Sequence, residues 1–291
     1  MSPIVQRLSY SSISAYLACP FKWYLSQVER VPRPVSEAAL LGSAVHEAVG
    51  QYLIARLSDP APDLDRLWRA ALGKLVRRNE QAAGIAWVRD QDAVLVEGRQ
   101  MLVMARDLWL DHYPAGEPSR QHRIATLPTL LDTITLLISG GKPAIERLVR
   151  MAIPGIAVPF VGFVDWVEAG GIPADLKTTS SPWSVESANL ELQPTFYLAA
   201  LQQMGLALHA DLLFRHYVLV RGETPKVQVI ETRRRPADLE WALDLARGVW
   251  RAIENDMFHP NPTHRWCDPR YCEYWGICRG KGGGVQSGGE V

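Results

Sequence analysis

Excess charge of either sign is missing from this sequence: over 291 residues, 31 basic side chains balance 31 acidic ones. Neither a polybasic strip nor an acidic solvating tail announces a partner. A nucleic-acid site, if present, has to be a local groove on a neutral surface. Long apolar runs are missing as well. The most apolar stretches, Leu127–Ile138 and Leu198–Leu219, are short or interrupted by polar residues, far from the roughly 20 unbroken residues of a membrane span. Residues 1–16 lack a basic segment followed by an apolar one, so no signal peptide is expected and the chain reads as soluble and cytoplasmic. There is no internal repeat and no Gly-x-x-x-x-Gly-Lys-Ser/Thr stretch, so ATP-driven work would have to come from a partner. Cysteine is scarce, four residues in all.

What is present is a succession of elements of changing texture. Ser9 to Ser12 precede an apolar-periodic stretch, predicted as one capped helix over Ile13–Val28. Leu41, Val45, Ala48, Val49, Tyr52 and Leu53 form the stripe of a second helix. Helical patterns continue over Leu64–Asn79, Asp92–His112 and a segment ending near Gly140. Strands rich in β-branched and aromatic residues follow at Ala144–Ile153, Val158–Glu168 and Ile172–Thr178. A helix is expected over Ser187–Met204, strands over Asp211–Val220 and Lys226–Thr232, and a last helix over Pro236–Asn255. This order predicts an α/β fold, a mixed central sheet flanked by helices, with an N-terminal helical segment and a cysteine-rich C-terminal region. One domain is expected over 1–279, with a helical insertion at about 60–140. The Gly/Ser-rich tail 280–291 reads as disordered.

Chemistry concentrates in Gly162–Lys177. A tight turn at Ala169-Gly170-Gly171, where glycine tolerates positive φ, sets Asp165 directly opposite Asp175, their Cβ atoms about 5 Å apart. Alternation places Lys177 on the same face. Two opposed carboxylates destabilise a sheet unless something neutralises them, and a hard divalent cation such as Mg²⁺ would. Lys177 would then hold or deprotonate a water for attack on phosphorus. Taken alone, Asp-x-Lys is more often a solvated surface triplet.

The segment resembles the PD-(D/E)xK nucleases, specifically their RecB-like branch, which includes CRISPR-associated exonucleases. Gly162–Asp165 and Asp175-Leu176-Lys177-Thr178 match the paired strands of that family. Gly42–His46 resembles its Gly-x-x-x-His helix, Gln193–Tyr197 its Gln-x-x-x-Tyr element, and Leu8–Pro20 its N-terminal Cys-Pro helix. The resemblance spans about residues 8–279. It implies a restriction-endonuclease-like fold and DNA cleavage, acting at ends as an exonuclease with single strands favoured. It implies Mg²⁺ or Mn²⁺ held by His46, Asp165, Asp175 and the Leu176 carbonyl, with Lys177, Gln193 and Tyr197 completing the catalytic set. It also implies settings in recombination, repair or CRISPR and phage DNA processing, with a helicase or CRISPR adaptation complex as partner. A non-catalytic DNA-end-binding subunit and an RNA-directed nuclease are the alternatives. Without the other motifs, His46 is a packed histidine and Tyr197 a core residue.

Cys19 stands near one end; Cys267, Cys272 and Cys278 stand near the other. Three grouped thiols and a distant fourth suggest a metal site. The resemblance implies a [4Fe–4S] cluster, one cysteine before the nuclease domain and three after it. Four residues separate Cys267 from Cys272 where the family commonly has two, which keeps structural zinc as an alternative. Arg215/His216, Arg221 and Arg233–Arg235 gather near the late strands. Arg265, Arg270, Arg279 and Lys281 interleave with Trp266, Tyr271, Tyr274 and Trp275 beside the cysteines. Both sets could contact DNA, with solvated charge and packing about the cysteines as the plainer readings.

Overall fold

The computed structural model describes residues 4–55, 59, 61–110, 144–168, 171–206, 208–221 and 226–280. The expected helix ending near Gly140, two residues of the expected turn, Ala169 and Gly170, and nearly all of the glycine-rich tail lie outside them. The chain divides into two compact units: Met1–Arg33, Ala152–Phe160 and Leu243–Val291 form one, and Pro34–Met151 with Val161–Ala242 form the other.

The larger unit carries the sheet. Its strands are β3 (Ile145–Met151), β4 (Phe160–Glu168), β5 (Ile172–Thr179), β6 (Leu213–Val220) and β7 (Lys226–Arg233), side by side in that order. β4 and β5 are antiparallel, β5 and β6 parallel, and β6 and β7 antiparallel, so the sheet is mixed as expected. β6 is buried at seven of its eight positions and β5 over its first five, as central strands covered on both faces are. The parallel β5–β6 pair needs a crossover, supplied by α6 (Val185–Leu190) and α7 (Gln193–Gln203). The sequence predicts a single helix here. Pro194, with no N–H to give, stands in the first turn of α7, a position proline tolerates far better than a helix interior, and Glu191 is extended.

The rest of this unit is a helical layer of α3 (Glu37–Ala55), α4 (Leu64–Ala82) and α5 (Gln91–Leu110). Strands of two residues, β1 (Val35–Ser36) and β2 (Ile85–Ala86), pair beside it in parallel. Glu37, in the first turn of α3, accepts from the Val88 and Arg89 amides at 2.9 and 3.0 Å and from Arg89 Nε at 2.6 Å. Together they hold its carboxyl at about 2, against the burial that opposes charge.

In the smaller unit, the predicted N-terminal helix is two: α1 (Tyr10–Ala18), capped by Ser9 accepting from the Ser12 amide, and α2 (Pro20–Gln27). A residue before proline is driven out of the helical region. Cys19 is accordingly extended, at φ −161° and ψ 105°, and its thiol stands at the break. The C-terminal segment lies on this hairpin. Phe258 stacks against Trp23 and Tyr24 at 5.8 and 4.8 Å, and Tyr16 Oη donates to the Met257 carbonyl at 2.5 Å. Lys22 pairs with Glu273 at 2.8 Å. The last long helix, α8 (Pro236–Glu254), and the short α9 (Trp275–Arg279) complete the chain. Among the described residues, no helix is long and apolar enough to cross a membrane.

Candidate active site

The hairpin register is the one the sequence predicts: Trp166 faces Ala174, Val167 faces Pro173 and Glu168 faces Ile172. Gly171 closes the turn at φ +75°, its amide bonded to the Glu168 carbonyl at 3.1 Å. In that register Asp165 reaches across to β5 and accepts from the Leu176 amide at 2.7 Å. His46, on α3, brings Nδ1 to 3.3 Å from the same carboxylate. The helix comes close because Gly42 lies one turn earlier: a Cβ built on it would stand 2.9 Å from Thr178 Oγ1 of β5.

Asp175 is only 2% exposed. Its Oδ1 accepts from Gln193 Nε2 at 2.7 Å, and the carbonyl end of the same Gln193 amide accepts from Lys177 Nζ at 2.7 Å. Lys177 Nζ also lies 2.8 Å from Asp175 Oδ2, as an ion pair without hydrogen-bond alignment. Tyr197, one helical turn after Gln193, rests its ring on Gly162 of β4. The structure thus brings His46, Asp165, Asp175, Lys177, Gln193 and Tyr197 together, with Leu176 between the two acids.

The two carboxylates differ electrostatically. Burial disfavours the charged form of both. At Asp165 it is outweighed by His46, the Leu176 amide and Lys177, which hold the carboxyl below its ordinary range. At Asp175 burial and the Asp165 charge prevail over Lys177, and its pKa rises to about 6. Burial works against the Lys177 ammonium, yet Asp175 holds its pKa above the usual lysine value. His46 is likewise raised: burial opposes its charge, and Asp165 overcomes that. Burial and Asp175 push the Tyr197 phenol to about 12.

Among the described residues, no three His, Cys, Asp or Glu side chains are gathered as a metal-holding group. The acids are turned instead toward Leu176, His46, Gln193 and Lys177. The donor types still suit a divalent cation, one imidazole with two carboxylates. Asp175 Oδ2, buried with no aligned hydrogen bond, is a lone-pair site such an ion would use.

Two further neighbours complete the surroundings of the acids. Glu146 of β3, at φ +49°, is pushed up to about 7 by burial and by Asp165; nothing local in the sequence distinguishes it. His216 pairs in parallel register with Asp175. Its one signal in the sequence is a polar interruption in an apolar strand, within the basic cluster near the late strands. Two arginines of that cluster, Arg215 and Arg234, are engaged within the fold, whereas Arg233 and Arg235 are exposed. Arg215 binds Glu168 and Glu231. Arg234 is buried, donating to Thr195 Oγ1 and the Glu191 carbonyl, both at 2.8 Å. Arg235 holds Asp238. The C-terminal arginines lie over aromatic rings: Arg265 on Trp266 at 4.8 Å, Arg270 on Tyr271 and Arg279 on Trp275, both at 5.3 Å.

All four cysteines fall in the smaller unit and line one cavity of about 360 Å³, together with Tyr10, Trp266 and Trp275 among others. All four are unpaired. Burial pushes the Cys278 thiol up, and Cys19, Cys267 and Cys272 push the same way against Arg279, so the four thiols share one electrostatic neighbourhood.

A mixed sheet that carries an aspartate on one strand and Asp-x-Lys on its antiparallel neighbour, with a histidine helix and a glutamine helix closing over them, defines a restriction-endonuclease-like nuclease. The chain belongs to the PD-(D/E)XK nuclease superfamily, whose family model matches residues 7–279. Among solved structures it is similar to a candidate exonuclease from Eubacterium rectale, with a TM-score of 0.54 and 14% identity over 98% of this chain and 91% of that one. The protein SSO0001 aligns with a TM-score of 0.34 and 11% identity, over 89% of this chain and 91% of that one. No curated protein matches the sequence.

Proposed function

We propose that this nuclease is a divalent-metal-dependent deoxyribonuclease that works at DNA ends as an exonuclease, with single strands favoured. The observation that carries the reading is the closed arrangement of Asp175, Lys177 and Gln193 beside Asp165. His46, Asp165 and Asp175 would hold Mg²⁺ or Mn²⁺, with the Leu176 carbonyl as a further ligand. Nucleases of this superfamily generally use these ions, and the bound ion would polarise the phosphoryl oxygen and lower the pKa of a water.

Lys177 has two neighbours that fix its ammonium, Asp175 at 2.8 Å and Gln193 at 2.7 Å. So held, it would orient the attacking water and offset charge developing on the phosphate. Gln193 keeps lysine and acid in one geometry, and Tyr197 fixes the helix that carries Gln193 against β4.

At the second site, Cys19, Cys267, Cys272 and Cys278 would hold a [4Fe–4S] cluster. One zinc, with Zn–S bonds of about 2.3 Å, would need the thiols drawn close around a single point. A cluster that brings its own iron and sulfide seats each thiolate on a different corner. All four thiols line one cavity of about 360 Å³, as a metal group shared among them requires. The setting would be recombination, repair or CRISPR-type DNA processing, with ATP-driven unwinding left to a helicase partner.

The test is cleavage of end-labelled single- and double-stranded DNA with Mn²⁺, Mg²⁺ or EDTA, beside Lys177→Ala. Metal-dependent shortening from the ends by the wild type, and none by the variant, is expected. Binding of DNA ends without cutting under any metal would replace this reading with a DNA-end-binding subunit. Cutting of RNA in preference to DNA would overturn the substrate assignment.

A further inference from the structure

His216 is wholly buried, with Trp183 and Phe214 rings 5.4 and 5.0 Å from its own. Among the described residues, neither of its ring nitrogens has a hydrogen-bond partner. Leaving buried polar atoms unbonded costs free energy that leucine, of similar size, would not incur. Packing between two aromatic rings therefore does not account for a histidine here. Its position does: the parallel register of β5 and β6 pairs it with Asp175, and its Nδ1 lies 4.0 Å from Asp175 Oδ2. That oxygen is itself buried without an aligned hydrogen bond, whereas Oδ1 is held by Gln193 at 2.7 Å. A histidine nitrogen without a partner thus faces, from the adjacent strand, a buried carboxylate oxygen whose near neighbour is the Lys177 ammonium, 2.8 Å away but not aligned for a hydrogen bond. The gap from the histidine is about 1 Å longer than an ordinary hydrogen bond, a distance that a small rotation of the carboxylate closes.

We propose that His216 is a positioning residue for Asp175: when Asp175 holds a divalent cation, the Nδ1–H of His216 donates to Oδ2 and fixes the rotation of the carboxylate. The inference rests on the reading of Asp175 as a metal ligand. Gln193 then holds Oδ1 and His216 steadies Oδ2, the oxygen that also faces Lys177 Nζ at 2.8 Å, so the carboxylate plane is fixed for the ion. Ligating carboxylates are commonly held this way by outer partners, and loss of such a partner weakens metal affinity by roughly 10–100-fold.

The experiment is Mn²⁺ binding to the full chain without DNA, followed by the electron paramagnetic resonance of free Mn²⁺. It compares wild type with Asp175→Asn, His216→Leu, His216→Asn and His216→Gln, each checked for folding by thermal melting. Wild type is expected to bind Mn²⁺ and Asp175→Asn to lose it. His216→Leu should bind roughly tenfold more weakly or worse. His216→Asn, whose amide reaches the position of Nδ1, should recover most of the affinity, and His216→Gln should not. If His216→Leu binds Mn²⁺ as the wild type does while Asp175→Asn is impaired, the role of His216 is overturned and that of Asp175 stands. If Asp175→Asn binds like the wild type, or the wild type does not bind, the reading of the metal site falls and this inference with it. Should His216→Leu fail to fold, equal affinities of the Asn and Gln variants would overturn the proposal.

Discussion

Gly162 of β4 lies beneath the ring of Tyr197 in α7, so close that a Cβ built on the glycine would stand 2.8 Å from Tyr197 Cε1. The glycine of one motif is thus explained by the tyrosine of another. That contact joins the helix carrying Gln193 to the strand carrying Asp165. Gly42 does the same service for α3, which approaches β5 at Thr178 and brings His46 over Asp165.

Gly162→Ala should therefore overpack the contact and cost about 1–3 kcal/mol of stability. Adding Tyr197→Ala should recover part of that loss, as a positive coupling in a double-mutant cycle. Denaturant unfolding of the four proteins measures it. Strictly additive effects would mean that the two residues do not press on each other.

Gln193 joins Lys177 to Asp175 through a single amide. Gln193→Ala should lower turnover on saturating DNA by roughly 10–100-fold while the fold persists, since losing the outer partner of a ligating carboxylate commonly costs about that much. Gln193→Glu should not rescue it, because a second carboxylate would repel Asp175 and could not donate to it. Turnover within twofold of wild type in both variants would remove Gln193 from the site.

Glu37 makes stability depend on acid. Its folded-state pKa of about 2 lies below the ordinary 4.5, so the folded state favours the charged form. The stabilisation is complete above about pH 4.5 and disappears as the pH falls through about 2. Hydrogen bonds to a charged group contribute about 1.5–3 kcal/mol. Glu37→Gln should thus lower stability near neutrality by up to that amount, and the difference from wild type should narrow below pH 4.5. Melting curves across pH 2–7 decide it, and a gap that stays constant with pH would exclude the linkage.

Cys19 stands alone at the break between α1 and α2, so its loss tests whether the distant thiols act as one site. Cys19→Ser should deplete the protein of iron and acid-labile sulfide, bleach its visible absorbance and lower its melting temperature. Protein purified without oxygen that carries zinc and no iron would replace the cluster with a zinc site.

Much of this was legible in the residues themselves. The pairing of Asp165 with the Asp175 strand follows from turn chemistry and alternation, which are local, and the glycines that mark the turn stand in the same short segment. The helical layer and all five long strands could be placed because periodicity is a short-range property of the chain. Two helix breaks were also written locally, in Pro20 and Pro194, although apolar periodicity running across them concealed both. What no local pattern carries is the parallel pairing of β5 with β6, because the partner strand arrives only after a crossover of two helices. That pairing turned His216 from one member of a basic cluster into the neighbour of Asp175. Tertiary packing likewise drew Arg234 and Arg215 into the fold, and it collected four thiols from opposite ends of the chain around one cavity. Residue types and spacing determined which chemistry was available, and contacts between distant segments decided which groups meet.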